Sequence, residues 1–251
     1  MKLGAQLYSV RTYLKTEEDL RKTFQKIKAI GYEAVQLSGA APMPAEYLRE
    51  VSGESGLPIV CTHMPFDRIV NETEALIAEH KTFGCPVIGL GSMPKDYRGS
   101  REGLETFLNL LKTPVQKILD SGLRFAYHNH NFEFESLDGG LLFDEMLERC
   151  TGWQFILDTY WVEFAGHSAV EYIGKVGGDR LPNIHFKDMA KDEKRSICSC
   201  GSGVLDFAAI YAKCREVGVK NVLVEEDNAV EKEDPFSEME NSFRHLRTIV
   251  K

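Results

Sequence analysis

Apolar positions along the chain follow two alternating periods. Leu20, Phe24, Ile27 and Ile30 fall at helical spacing, Thr16 with Asp19 three residues on has the form of a helix cap, and Gly31 stops the run. A short apolar segment, "YEAVQL", follows at once. The same punctuation returns in "ESGLPIVCTH", "FGCPVIGL", "SGLRFAYH", "TGWQFILD" and "VGVKNVLVEE", each with a glycine where a helix should end and a β-rich run begin. Gly177 and Gly178 stand in the same way before "LPNIHFKD". With the opening segment counted, the pattern predicts eight strands near residues 2–8, 32–37, 58–63, 86–90, 123–130, 154–158, 182–187 and 221–225, with helices between them.

Helices alternating with strands imply parallel strands joined by crossover helices, which leaves a doubly wound sheet or a closed barrel. Eight units in 251 residues, close to the ~250 over which one such barrel closes, favour a single (β/α)8 TIM barrel spanning residues 1–251. The longest irregular stretch, "KDMAKDEKRSICSCGSG", follows strand seven and belongs on the catalytic face of that barrel.

Charge narrows the partners. Thirty Lys and Arg against 38 Asp and Glu give a net charge of -8, a field that repels phosphate backbones and anionic lipid, so neither nucleic acid nor membrane is an expected partner. A homo-oligomer is compatible with everything in the sequence. The six cysteines form no CxxC pair and no disulfide-dense pattern, which fits a reducing cytoplasm. Cys198 and Cys200 lack the second pair of a structural zinc site and read as free thiols. The opening "MKLGAQLYSV" has no apolar run with a cleavage site, and no stretch approaches the ~20 apolar residues of a membrane span.

Candidate chemistry lies where strands give way to loops, the end at which barrels build their sites. Strand five ends in "YHNHNFEFE", so residues spaced by two, His128 and His130, share a face and Asn129 takes the other. Strand six supplies Asp158, strand seven His185 and Lys187, and strand eight Glu225. Any one of these groups alone could belong to an ordinary polar network. Their recurrence on four successive strands points to one divalent ion held by His128, Asp158, His185 and Glu225, and mixed N and O ligands suit Mn, Fe, Co or Zn. The spacing leaves open whether His128, His130 or both touch the ion.

Gln6 and Tyr8 share a face of predicted strand one, His63 ends strand three, Trp161 follows strand six and Glu133 follows strand five; all five are candidates for substrate contact. Lys187 would stabilise negative charge on a reacting oxygen, a substrate role and not a folding role, with Glu225 or His130 as general base. The run Gly201, Ser202, Gly203 offers either a phosphate cradle or, more plainly, a turn before a helix near Val204 supported by Asp206. No GxGxxG follows a strand and no GxSxG is present, which disfavours dinucleotide hydride transfer and acyl-enzyme chemistry.

The pieces "QLYSVR", "YHNHNFEFE", "DTYW", "HFKD", "GSGVLDF" and "VEED" together resemble the sugar phosphate isomerase/epimerase family of xylose isomerase-like barrels over nearly the whole chain. The resemblance implies a metal held by side chains of strands five to eight and a bound hydroxy-ketone or sugar. Ketose epimerases of this fold carry glutamates on strands five and eight, whereas His128 stands at the apparent strand-five position here. The expected activity is therefore a metal-dependent isomerase or epimerase of a small keto sugar, working by proton abstraction beside a carbonyl at the metal site. A lyase or dehydratase eliminating a β-substituent from 3-keto sugars is the alternative, and a catalytically silent carbohydrate-binding barrel is the alternative outside enzymes. Abasic-site nucleases share the superfamily, but need further metal ligands and a basic surface that a chain of charge -8 with scattered histidines does not offer.

Overall fold

A computed structural model describes residues 1–250. Eight parallel strands, β1 (Lys2–Gln6), β2 (Val35–Leu37), β3 (Ile59–Thr62), β4 (Val87–Leu90), β5 (Arg124–His128), β6 (Gln154–Asp158), β7 (Asn183–Phe186) and β8 (Asn221–Val224), follow one another round a barrel. β1 pairs with β2 on one side and β8 on the other, and a parallel bridge from Met64 to Leu90 joins the end of β3 to β4. The single α/β barrel expected from the alternation is the observed fold.

Local sequence explains the helices that wrap it. In α1 (Glu17–Ile30), Thr16 Oγ1 accepts the Asp19 N–H, and Gly31 at φ +119 closes the last turn. Such a cap is worth about 1 kcal/mol. The predicted stripe buries Leu20, Phe24 and Ile27 completely, each contributing roughly 1.5–3 kcal/mol. The other helices are α2 (Ala45–Ser55), α3 (Phe66–Asn71), α4 (Thr73–Phe83), α5 (Arg101–Asp120), α6 (Leu142–Arg149), α7 (Thr159–Phe164), α8 (Ala169–Val176), α9 (Phe207–Val217) and α10 (Pro235–Leu246). α9 starts at Phe207 and not near Val204, because Asp206 supplies the cap by accepting the Ala209 N–H.

Two strands end earlier than the apolar pattern suggests. β1 stops at Gln6, whose side-chain oxygen accepts the Tyr8 N–H and turns the chain into a 3-10 segment, Leu7–Tyr13. Tyr8 is therefore on that turn and not on the strand. β5 stops at His128, so His130 lies in the following loop. Inside the barrel, Cys61, Val87, Ala126 and Ile156 form a small buried cluster apart from the main core. Ala126 and Ile156 precede His128 and Asp158 by two on their strands, so this cluster is the floor beneath them.

Candidate metal centre

The ends of β5 to β8 bring His128, Asp158, His185 and Glu225 together. Each offers one ligand atom, and the four atoms lie within 4.8 Å of one another. The residues are 0–4% exposed. The closest approaches are His185 Nδ1 to Glu225 Oε2 at 2.9 Å, His128 Nε2 to Asp158 Oδ2 at 3.4 Å and His185 Nδ1 to Asp158 Oδ2 at 3.6 Å.

Each of the four is anchored from behind by its other heteroatom. His128 Nδ1 lies 3.0 Å from the Gly91 carbonyl oxygen, which can only accept, so the proton sits there and Nε2 presents a lone pair. His185 Nε2 likewise donates to Gln36 Oε1 at 2.8 Å, leaving Nδ1 facing the cluster. Asp158 Oδ1 accepts the Trp161 N–H as the cap of α7, and Glu225 Oε1 accepts from Gln6 Nε2 at 2.8 Å. Outer partners that fix tautomer and orientation in this way are the usual support of metal ligands. Asn129, on the opposite face as its spacing requires, accepts the Asp158 N–H.

Lys187 completes the charge pattern. Its Nζ lies 2.9 Å from Asp158 Oδ2, 2.8 Å from Glu225 Oε2 and 2.8 Å from Asp227 Oδ2. Three carboxylates thus crowd round one ammonium, and burial pushes the Asp227 carboxyl up. His185 Nδ1 and Glu225 Oε2 are buried facing one another, with no partner outside this cluster of ion pairs. The mixed N and O donor set and the excess of carboxylates over cations fit a divalent cation. Burial works to raise the Asp158 and Glu225 carboxyls, but Lys187 and the imidazoles outweigh it and hold both well below the ordinary carboxylate range. Burial works equally against the Lys187 ammonium, and Asp158, Asp227 and Glu225 outweigh it.

A cavity of about 610 Å³ opens above the cluster, lined by Gln6, Tyr8, His63, His128, His130, Lys187 and Glu225 among others. Seven residues singled out in the sequence thus share one space. Gln6 reaches it with its amide already spent on Glu225 and Tyr8, which makes it a positioning group. Tyr8 carries the Arg11 guanidinium 4.2 Å above its ring. The His63 ring lies 5.1 Å from that of His128 and 5.7 Å from that of His185; its Nε2 has no partner, and burial holds it neutral. His130 stands edge-on to His128 at 4.9 Å, outside the four-ligand group. Burial first, then His128 and Lys187, lower its pKa to about 3, so its ring is neutral at neutral pH.

Three expectations change. Glu133 does not line the cavity: it is fully buried, takes the Tyr127 hydroxyl on Oε1 and the His130 N–H on Oε2, and so fixes the loop that carries His130. Trp161 is not among the lining residues either; its ring backs His130 at 5.4 Å and Lys187 at 5.5 Å. Lys187, 1% exposed and paired with three carboxylates, has its charge engaged within the protein as well as facing the cavity, where a substrate role alone was expected. The Gly201–Gly203 run is a turn and not a free cradle, because Asp188 accepts the N–H groups of Gly201, Gly203 and Leu205. A Cβ on Gly203 would lie 2.4 Å from the Asp188 carboxylate, so only glycine fits.

Sequence reasoning missed Gln36, Arg11, Ser38 and Asp227. Asp227 was within reach, since it follows Glu225 by two in "VEED" and would share its face. Gln36 left a fainter signal, a lone polar residue in an apolar strand.

No curated protein matches the chain in sequence. Among solved structures, the chain is similar to a sugar phosphate isomerase/epimerase from Parabacteroides distasonis, with TM-score 0.82 at 22% identity and all of both chains covered. It is also similar to the 3-keto-D-glucoside 4-epimerase of E. coli, with TM-score 0.74 at 20% identity over 99% of each chain. A D-allulose 3-epimerase from Methylomonas sp. gives TM-score 0.75 at 15% identity, covering 100% of this chain and 98% of that one. A family model matches residues 24–249, and the chain belongs to the xylose isomerase-like TIM barrel family.

Proposed function

We propose that this protein is a divalent-metal-dependent isomerase or epimerase of a small keto sugar. The observation that carries the reading is the set of four buried ligands, each anchored from behind, two of which, His128 and Glu225, line a cavity of about 610 Å³. His128, Asp158, His185 and Glu225 would hold the ion, which when bound supplies Lewis acidity and positive charge beside the substrate carbonyl. The epimerases that share the fold support a sugar as substrate.

Glu225, held through Oε1 by Gln6, is the carboxylate positioned to take a proton from the carbon beside the carbonyl. The electron pair of the broken carbon–hydrogen bond moves onto the carbonyl oxygen, and Lys187 Nζ adds positive charge on that side. Neutral His63 and His130 offer ring nitrogens, Nε2 and Nδ1, that have no partner within the protein and can meet substrate hydroxyls. The enediolate then regains a proton at carbon, which completes an isomerisation or epimerisation, or expels a protonated β-substituent, which completes an elimination. His128 in place of a strand-five glutamate removes one of two symmetrical bases, and this keeps the lyase as the second reading. Among the described residues one such ligand group occurs, and no helix is long and apolar enough to cross a membrane.

The test incubates the Mn-loaded protein in D2O with ketoses and 3-keto sugars and follows carbon-bound deuterium by NMR. Label entering a rearranged sugar is the expected result, and loss of a β-substituent would select the lyase. Binding without any carbon–hydrogen exchange, or full activity in Glu225→Gln, would overturn the proposal.

A further inference from the structure

A second cavity, of about 320 Å³, lies beside the first on the catalytic face, between the loop after β2, α2, the loop after β3 and α4. Its size falls within the roughly 300–1,000 Å³ of small-molecule pockets. Ser38, His63, Met64 and Pro65 line both cavities and so form the partition between them. The loop that carries Ser38 is fixed in place: a Cβ on Gly39, at φ +71, would stand 2.8 Å from the Tyr8 ring, and the Ala41 N–H donates to the Leu14 carbonyl. The small side chains of Ala40 and Ala41 leave the space open, with Leu48 and Phe83 across from them.

Most polar groups of this second cavity are already used: the Ser38 hydroxyl lies 3.4 Å from His63 Nδ1, and His63 Nε2, at the partition, is left without a partner. His80 donates from Nδ1 to the Leu76 carbonyl at 2.7 Å and meets the Thr62 hydroxyl through Nε2 at 2.8 Å, and burial lowers its pKa to about 4, so it is neutral. Arg68 spends its guanidinium on Glu79 and Glu72. No cation is left for a phosphate, and one ring nitrogen at the partition is too few partners for the several hydroxyls of a second sugar ring, each of which costs about 1–3 kcal/mol when buried unpaired. What the space accepts at no such cost is an uncharged apolar group.

We infer that the second cavity is a subsite for an apolar substituent on the substrate, so that the sugar acted on is a glycoside with an aromatic or alkyl aglycone and not a free or phosphorylated sugar. The sugar ring lies over the metal centre, and the aglycone passes the His63 partition into the space between α2 and α4. This deepens the function proposed above and rests on it for the position of the ring.

The experiment measures binding, not turnover. Calorimetric titration of the full Mn-loaded chain compares paired phenyl and methyl glycosides, both anomers, of glucose, galactose and allose. Burying the phenyl group is expected to make at least one phenyl glycoside bind about tenfold or more tightly than its methyl partner. Ala41→Phe, which fills the second cavity, should bring that ratio to within about twofold of one, and Ala40→Leu, a milder filling, guards against a variant that fails to fold. A ratio near one in the wild type, including no binding of either partner of any pair, overturns the inference, as does a phenyl preference that survives both fillings. If the preference is present and abolished by filling while no keto sugar exchanges deuterium, the subsite stands and the proposed reaction falls.

Discussion

Gln36→Leu tests the metal centre through a residue that touches no ligand atom facing the cluster. Gln36 Oε1 holds the proton of His185 on Nε2, 2.8 Å away. With leucine there, Nε2–H has no acceptor, and the ring shifts its proton to Nδ1, where Glu225 Oε2 waits at 2.9 Å. A divalent ion must then displace that proton, and loss of such an outer partner typically weakens metal binding 10- to 100-fold, or about 1.4–2.8 kcal/mol. Stability without metal should hardly move. Losing the acceptor costs about 1–3 kcal/mol, and removing the buried Gln36 Nε2, which has no partner, returns a similar amount. The metal-free Tm should therefore stay within about 4 °C of wild type. Mn binding followed by calorimetry in buffers of different ionisation enthalpy reads affinity and proton release together. Wild-type affinity with unchanged proton release in a well-folded variant would refute the assignment of His185 as a ligand through Nδ1.

Lys187→Met should cost about 3–5 kcal/mol in the absence of metal, because Asp158, Glu225 and Asp227 lose their shared cation, and should regain much of that with saturating Mn; urea titrations with and without Mn check it, and equal metal-free stability would count against the triple ion pair. His80, buried and held at about 4 against an ordinary 6.5, contributes stability that is complete above pH 6.5. That contribution, about 3 kcal/mol in all, is lost as the pH falls from 6.5 towards 4. His80→Gln should accordingly flatten stability between pH 7 and 4 by about that amount, and an unaltered pH profile by urea unfolding would show that His80 titrates normally.

The order of eight strands and the residues at their ends were legible in the sequence because both rest on local rules. Glycine stops recur before each apolar run, and the position of His128, Asp158, His185 and Glu225 near the ends of four successive runs puts them at one end of a barrel whose closure the repeat count implies. Direction within that end was not legible. Whether His128 or His130 joins the ligand group depends on β5 stopping at His128, a matter of one backbone turn. That Gln36, 149 residues from His185, sets its tautomer is a contact between distant strands that no local pattern encodes, and that Glu133 turns back to brace its own loop depends on where β5 stops. Lys187 makes the same point through charge: alternation alone placed it near the metal site, but only the tertiary structure surrounds it with three carboxylates from β6 and the end of β8, because the two strands flank β7 at the barrel mouth.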